Sequence, residues 1–563
     1  MNEGGSRLFP RMGWGLSVVF LVVVAALGYV LFFKNDQKAP VSEASRAPRS
    51  SWVLRDTAST NLTTMDPIQM VDAFTITTLS HVYEGLVTAR ADGAVVPALA
   101  REWKVSKDGR QWTFFLRKGV FFHSVADSCP ALSNKELTSA DVVYSLKRAM
   151  TGKGSFYKWA FAGLIKGGGP GDGGTVEGVS APSPYVVVIR LRKSFPLLNR
   201  LVTVAGWVYP DRIVETCGKD FLSRHPVGTG PYYLERFVPD DRIVLSRFKR
   251  YHAAVAKEAP EKVDIYIVSE ASAALEAFKA GRVDVLKLSL GTMKQGRRLA
   301  QTKGHHLVSV NANNLDYLVV NNKVAPYNDV RVRLALNLAI DRKGLSRILE
   351  GAAEPAYGYI PPASPAFRGN KAIREKGYAF DPKRARALLS QYLKEKGKKS
   401  LSLTLTVESG ELPEIVAQYV QANLKQNLGI DVRLAKVTWP EMIQIAFGGK
   451  GTFFHFWWTI VTPSEDLYFL FFFPGSEPPN GFNISSYDNP DFVKAFNKTF
   501  AVQNVAERYR GVRRLEDFLI KDAVAIPLFH KINHYLVRRG IDLPISGLLF
   551  KNYERARRED ESH

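Results

Sequence analysis

Residues 97–123 read PALAREWKVSKDGRQWTFFLRKGVFFH. Two aromatic and β-branched runs, Trp103-Lys104-Val105 and Trp112-Thr113-Phe114-Phe115-Leu116-Arg117, flank Ser106-Lys107-Asp108-Gly109. Asp-Gly supplies the positive φ that a tight hairpin turn requires, so this stretch predicts two antiparallel strands. Upstream, Trp52-Val53-Leu54-Arg55 reads as a first strand, Met65-Asp66-Pro67 as a turn, and 73–85 as a helix ending on a glycine. Downstream, Thr138-Ser139-Ala140-Asp141 opens a helix through Met150 with a hydroxyl cap and an acidic first turn. A strand follows at 185–191 and a hairpin at 237–248 around Pro239-Asp240-Asp241.

In the second half the order becomes strand–helix–strand. Tyr317-Leu318-Val319-Val320-Asn321 is an apolar strand, and Asp329 starts the helix that contains RVRLALNLAIDR. A strand at 401–407, an amphipathic helix at 413–428 ended by Gly429, and a strand at 430–437 come next. The aromatic run 453–458 and short strands at 526–529 and 535–538 complete the pattern, which predicts an α/β lobe with a mixed sheet.

At 563 residues the chain is too long for one core, so two or more lobes are expected. Lys+Arg 76 against Asp+Glu 54 gives a formal charge of +22, but the basic residues are dispersed along the chain. Dispersed charge reads as solvated surface, and no zinc-finger, RNA-binding or basic-zipper pattern points to a nucleic-acid partner. The glycine-dense 167–178 lacks the Gly-Lys-Ser/Thr of a phosphate loop and reads as a surface loop. Cys129 and Cys217, the two cysteines, either close one bridge outside the cytoplasm or stay as buried thiols. His530 and His534 fall on a strand, His305-His306 on an exposed turn, and no metal or cofactor site is expected. No Gly-x-Ser-x-Gly elbow occurs, and catalysis is not expected.

Residues 12–33 form an uninterrupted uncharged run, close to the roughly 20 residues that cross a bilayer. Arg7 and Arg11 precede it, which orients a cytoplasmic tail at 1–11 and an exported body. The run is long and no small-residue cleavage site follows closely, so an uncleaved signal anchor is expected, followed by a flexible tether at 34–51.

Several segments resemble, in order, the family of solute-binding proteins that serves peptide- and nickel-type ABC importers. They are Thr64-Met65-Asp66-Pro67 with Val82-Tyr83-Glu84-Gly85-Leu86-Val87, the 97–123 hairpin, Thr138 with Ala140-Asp141-Val142, and Pro226-Val227-Gly228-Thr229-Gly230-Pro231-Tyr232. Asp329-Val330-Arg331, Ala339-Ile340-Asp341-Arg342-Lys343, Ile360-Pro361-Pro362, Asp381-Pro382-Lys383 and Ala525-Ile526-Pro527-Leu528-Phe529 continue the series. The resemblance implies an α/β, two-lobe, periplasmic-binding-protein-like clamp of the cluster C type with mixed sheets. It implies lobe I at 52–308 with an inserted subdomain, lobe II at 309–527, and a return to lobe I with a C-terminal tail at 528–563. The crossings are expected near Val308–Val310 and Pro527–Phe529.

The resemblance also implies a solute held between the lobes. Peptide-binding relatives use a Trp-x-x-Asp segment whose aspartate pairs with the ligand's amino group; here Trp458-Thr459-Ile460-Val461 puts a valine there. A buried ammonium needs a counter-charge, so the departure argues against an ordinary free-amino peptide. Glu465 is the candidate substitute, whereas Asp466 reads as a helix-starting or surface carboxylate. Trp457, Trp458, Thr459, Asn483, Tyr357 and Tyr359 are the other candidate cleft residues, with one tryptophan expected in the core because neighbouring strand residues face opposite ways. The implied partners are a peptide-like or other small solute, a permease with ATPase subunits, and the cytoplasmic membrane through the anchor; the body is expected to be monomeric and extracytoplasmic. Competing expectations are a membrane-anchored sensor or scaffold, and a binder of an anionic envelope polymer.

Overall fold

The computed structural model describes residues 52–90, 94–124, 128–167, 176–302, 304–479 and 481–558. The tail, the membrane segment read at 12–33 and the tether lie outside the described residues, as does 168–175 of the glycine-rich loop. Among the described residues no helix is long and apolar enough to cross a membrane.

The hairpin forms as its turn chemistry dictates. Ala100–Val105 pairs antiparallel with Gln111–Leu116, and Gly109 takes φ +69° at the turn. Trp112, Phe114 and Leu116 alternate inward, and Val186–Arg190 and Val179–Ser183 extend the pair to a four-stranded sheet. A second four-stranded sheet orders Val53–Ala58, Lys262–Ile267, Arg242–Arg247 and Tyr232–Val238. The first pair is parallel and the others antiparallel.

The third sheet has eight strands and joins the two lobes. Its central element is Ala525–Arg538, one continuous strand of 14 residues where the sequence predicts two short ones. The polar stretch between them is held because Ile532, Asn533 and His534 pair with Asn311, Val310 and Ser309. The first part of this strand pairs with Asn314–Val320 and Ala353–Pro355, the second part with His305–Asn311 and Val285–Lys287. The strands His305–Asn311 and Asn314–Val320 follow one another across Ala312 and Asn313, which is the other crossing. His305 and His306 thus open a strand and do not sit on a turn. Beyond the crossing, Leu318, Leu405, Val420 and Ile526 lie in the core of the second lobe, between its sheet and the helix Glu411–Leu428.

The helix predicted over 73–85 stops earlier, as Ala73–Leu79. Glu84–Gly85 instead pairs with Trp207–Val208, so the backbone there is spent on a ladder. The segment 226–232 runs against the same turn. A Cβ at Gly228 would lie 2.0 Å from the Val82 carbonyl oxygen, and one at Gly230 2.2 Å from that of His81. Those two glycines are therefore required by close backbone approach. His123, at the end of the 97–123 stretch, fastens to the same segment through Nε2 and the Gly230 carbonyl at 2.9 Å.

Other motif residues are structural ties. Asp66 accepts two hydrogen bonds from the Arg148 guanidinium, at 2.7 and 2.6 Å, which pins the Met65-Asp66-Pro67 turn to the helix Ser139–Thr151. Arg342 is fully buried and donates to the Pro527 carbonyl at 2.6 Å and the Asn337 carbonyl at 2.8 Å. Burial pulls its guanidinium down to about 10. Cys129 and Cys217 form a disulfide with Cα atoms 5.8 Å apart, which decides the choice the sequence left open.

That bridge closes a loop across a separation of 88 residues. Removing a bridge of this kind costs on the order of 2–5 kcal/mol. Cys129→Ser is expected to lower the thermal midpoint and to make it insensitive to reductant; an unchanged midpoint in both tests would refute a stabilising bridge.

Burial also pushes His123 and His530 down to about 4. Their folded values lie below the unfolded one of about 6.5, so the unfolded chain takes up protons first as pH falls. Stability is therefore expected to be full above pH 6.5 and to drop progressively toward pH 4, by on the order of 3 kcal/mol for each histidine. Urea unfolding at a series of pH values checks this, and His123→Gln should flatten the slope.

Candidate functional site

A cavity of ≈ 310 Å³ opens between the lobes. Glu84, Thr88, Arg117 and His252 line its first-lobe wall, and Val461, Thr462 and Pro463 face them from the second. The Glu84 carboxylate accepts from Tyr251 Oη at 3.0 Å and Thr229 Oγ1 at 2.8 Å, and His252 Nε2 lies 2.9 Å from it. Val461 is itself buried, so the wall at this position is apolar. A second cavity of ≈ 220 Å³ lies beside the first crossing, lined by Val310, Asn313, Pro362, Pro463, Glu465 and Tyr468.

Strand alternation separates the two tryptophans. Trp457 is half-buried, stacks on Trp439 with centroids 5.3 Å apart, and carries the Lys531 ammonium 4.5 Å above its ring. Trp458 faces the other way, buried and stacked on Tyr468 at 5.7 Å. Thr459 is half-buried and pairs with Asn314.

Three predicted residues sit in the interior and do not line an opening. Tyr359 is fully buried, and its hydroxyl accepts from the Ala525 amide at 3.0 Å, fastening the start of the long strand. Tyr357 is buried, with the Arg342 guanidinium 6.0 Å from its ring centroid. Asn483 is fully buried and folds its own loop, donating to the Tyr487 carbonyl at 2.9 Å. Aromatic and amide residues next to a Pro-Pro or Gly turn look the same in sequence whether they face a cleft or a core.

Glu465 does line the second cavity, but its carboxylate is already engaged. It accepts from Asn199 Nδ2 at 2.9 Å and lies 3.8 Å from Arg508 Nε; burial raises its carboxyl above the usual range. Asp466 starts the 3-10 helix Glu465–Phe472 but is buried, not at the surface, where it pairs with Arg200 and accepts from Ser464 Oγ at 2.8 Å. Asn199 and Arg200 belong to the first-lobe helix Leu198–Leu201, so both acids are contacts between lobes. Lys193 adds a third, donating to Asn497 at 3.1 Å. Sequence reasoning missed Asn199, Arg200 and Lys531; no local pattern marks a surface arginine that will meet an aspartate 266 positions away.

The family model described as "Bacterial extracellular solute-binding proteins, family 5 Middle" matches residues 94–480. The chain belongs to that family. Among curated relatives, it is 26% identical over 461 residues to the probable di/tripeptide-binding protein 5 of Pseudomonas aeruginosa, covering 80% of this chain and 84% of that one. It is 27% identical over 485 residues to the periplasmic murein peptide-binding protein MppA of Escherichia coli, covering 84% and 87%. Among solved structures, it superposes on the ABC transporter-associated periplasmic binding protein DppA of Helicobacter pylori, in complex with the peptide STSA, with a TM-score of 0.74. That match has 23% identity over 90% of this chain and 98% of the other, and it shows the same two-lobe fold.

Breaking a buried pair by removing one partner costs about 3–5 kcal/mol because the remaining charge is stranded. Arg200→Ala strands Asp466 only while the lobes are together. The variant is expected to favour an open form, seen as a larger radius of gyration by small-angle scattering; an unchanged radius would show that this contact does not hold the lobes.

Proposed function

We propose that this protein captures a peptide-like or other small solute outside the cytoplasmic membrane and delivers it to an ABC permease. The observation that carries the reading is the cavity between two lobes that share one long strand and a second crossing. Such lobes rotate about the crossings, and a solute that touches both walls shifts the population toward the closed form. The named relatives bind peptides and one is associated with an ABC transporter, which favours transport over a sensor or an envelope-polymer binder. Binding, without catalysis, is the role proposed here.

The division into lobe I at 52–308, lobe II at 309–527 and a return at 528–563 belongs to the same proposal. So does a membrane anchor at 12–33, which rests on the uncharged run and the two arginines before it. Trp457, Thr459 and Glu465 are the proposed solute-facing residues among those the sequence singles out. Val461 offers no carboxylate and Glu84 is already engaged by Tyr251, Thr229 and His252, whereas Glu554 on the same cavity lies 3.5 Å from His81 Nδ1 and 4.0 Å from Arg555 Nε. The valine at 461 favours a solute that does not rely on that position to hold a free α-amino group.

Native mass spectrometry of the full-length chain purified from its own host tests this. The expected result is one small-molecule adduct per chain, released on denaturation and identified as peptide-like. A folded protein at its bare mass, with no stabilisation by any member of a peptide panel, would count against solute capture.

A further inference from the structure

One polar pair on the sheet shared by the lobes has the geometry of a nucleophile and its base. In the antiparallel ladder between His305–Asn311 and Ala525–Arg538, Ser309 stands directly opposite His534. Residues so paired project from the same face with Cβ atoms about 5 Å apart, within reach of a hydroxyl and an imidazole. Ser309 Oγ lies 2.7 Å from His534 Nδ1. Ser309 is exposed, whereas His534 is buried behind it. Neither residue lines a cavity between the lobes, so the pair is separate from the solute cleft.

The surrounding hydrogen bonds fix where the protons lie. His534 Nε2 is 2.9 Å from the Gly351 carbonyl, which can only accept, so Nε2 carries the ring proton. Nδ1 is then the unprotonated nitrogen, and the Ser309 hydroxyl donates to it. Gly351 takes φ +78° shortly after the helix Arg342–Ile348. The next carbonyl, that of Ala352, accepts from the Ile532 amide at 2.9 Å and holds this backbone against the long strand. Arg297 Nη2 lies 3.4 Å from Nε2. Burial first, and the charge of Arg297 with it, keep His534 below the usual histidine range against the pull of the Gly351 hydrogen bond. The imidazole is therefore neutral near pH 7, with its lone pair on the serine. A hydroxyl bonded to a base whose far nitrogen is oriented by a third group is the arrangement that activates a serine. Here a backbone carbonyl takes the orienting part.

We propose that Ser309 is an activated nucleophile with His534 as its base, a modification site that takes one acyl group from an activated carboxylic ester. Oγ attacks the ester carbonyl carbon as its proton passes to Nδ1. The bond from that carbon to the leaving alkoxide breaks, and Nδ1 returns the proton to the alkoxide. The products are an acyl ester on Ser309 and a free alcohol, with His534 neutral again. This goes beyond solute capture and does not depend on it.

Treatment of the full-length chain with p-nitrophenyl acetate, followed by peptide mapping, tests the proposal. Ser309 is expected to be acetylated on the order of a hundredfold faster than the other exposed serines, the scale of a positioned base. His534→Gln should remove that advantage at an unchanged thermal midpoint. Because a change at a buried histidine can unfold the strand, a second variant leaves His534 in place. Both cysteines of the chain are in the disulfide, so Ser309→Cys adds its only free thiol. With His534 as base, iodoacetamide is expected to alkylate that thiol about tenfold faster than N-acetylcysteine at neutral pH. Acetylation spread evenly over the exposed serines overturns the proposal. So does a folded His534→Gln variant that keeps the advantage, or a thiol no faster than N-acetylcysteine.

Discussion

One strand has to satisfy two lobes. Ala525–Arg538 spends its first residues on the ladder of the second lobe and its last on that of the first, and the change of partner falls between Phe529 and Ile532. An unpaired buried backbone group costs about as much as a lost hydrogen bond, so neither half can slip without stranding the ladder of a whole lobe. The polar side chains along it meet the same demand. His530 Nδ1 lies 2.6 Å from the Asn314 carbonyl, and His534 Nδ1 lies 2.7 Å from Ser309 Oγ. At the ends, Tyr359 and Arg342 hold Ala525 and Pro527, while Arg538 donates to the Val283 carbonyl at 3.1 Å. With both ends fixed, what freedom the strand has is concentrated where its partners change.

The cleft inherits its chemistry from that arrangement. Lobes joined at two crossings meet through polar contacts, Asn199 with Glu465, Arg200 with Asp466 and Lys193 with Asn497, and through aromatic ones, Phe156 and Trp159 with Phe482 and Phe195 with Phe500. The polar contacts exchange for water when the lobes part, while the aromatic ones favour the closed form. The second-lobe wall is formed by Val461, Thr462 and Pro463, facing Glu84, Thr88, Arg117 and His252 of the first lobe.

Much of the fold is legible in local sequence, because its signals are short-range. The 97–123 hairpin needs only alternation and Asp108-Gly109; the helix from Ser139 needs only Thr138 and Asp141, which form a reciprocal capping box. The helix over 73–85 fails for a long-range reason, since Glu84 and Gly85 are claimed by Trp207 and Val208. The candidate site fares less well. Trp458, Tyr357, Tyr359 and Asn483 are buried, and what marks them in sequence is the turn or aromatic run nearby, which serves packing as well as binding.

By itself the sequence determines the order of strands and helices, the family-wide run of motifs, and the valine where an acid would hold an amino group. Each of these follows from side-chain chemistry read within a few residues. Tertiary structure alone decides that residues 525–538 form one strand serving both lobes, that Cys129 reaches Cys217, and that Asp466 meets Arg200. Those outcomes depend on which backbone groups find partners across hundreds of residues, and on how far burial strips water from a charge; neither quantity exists until the chain has folded.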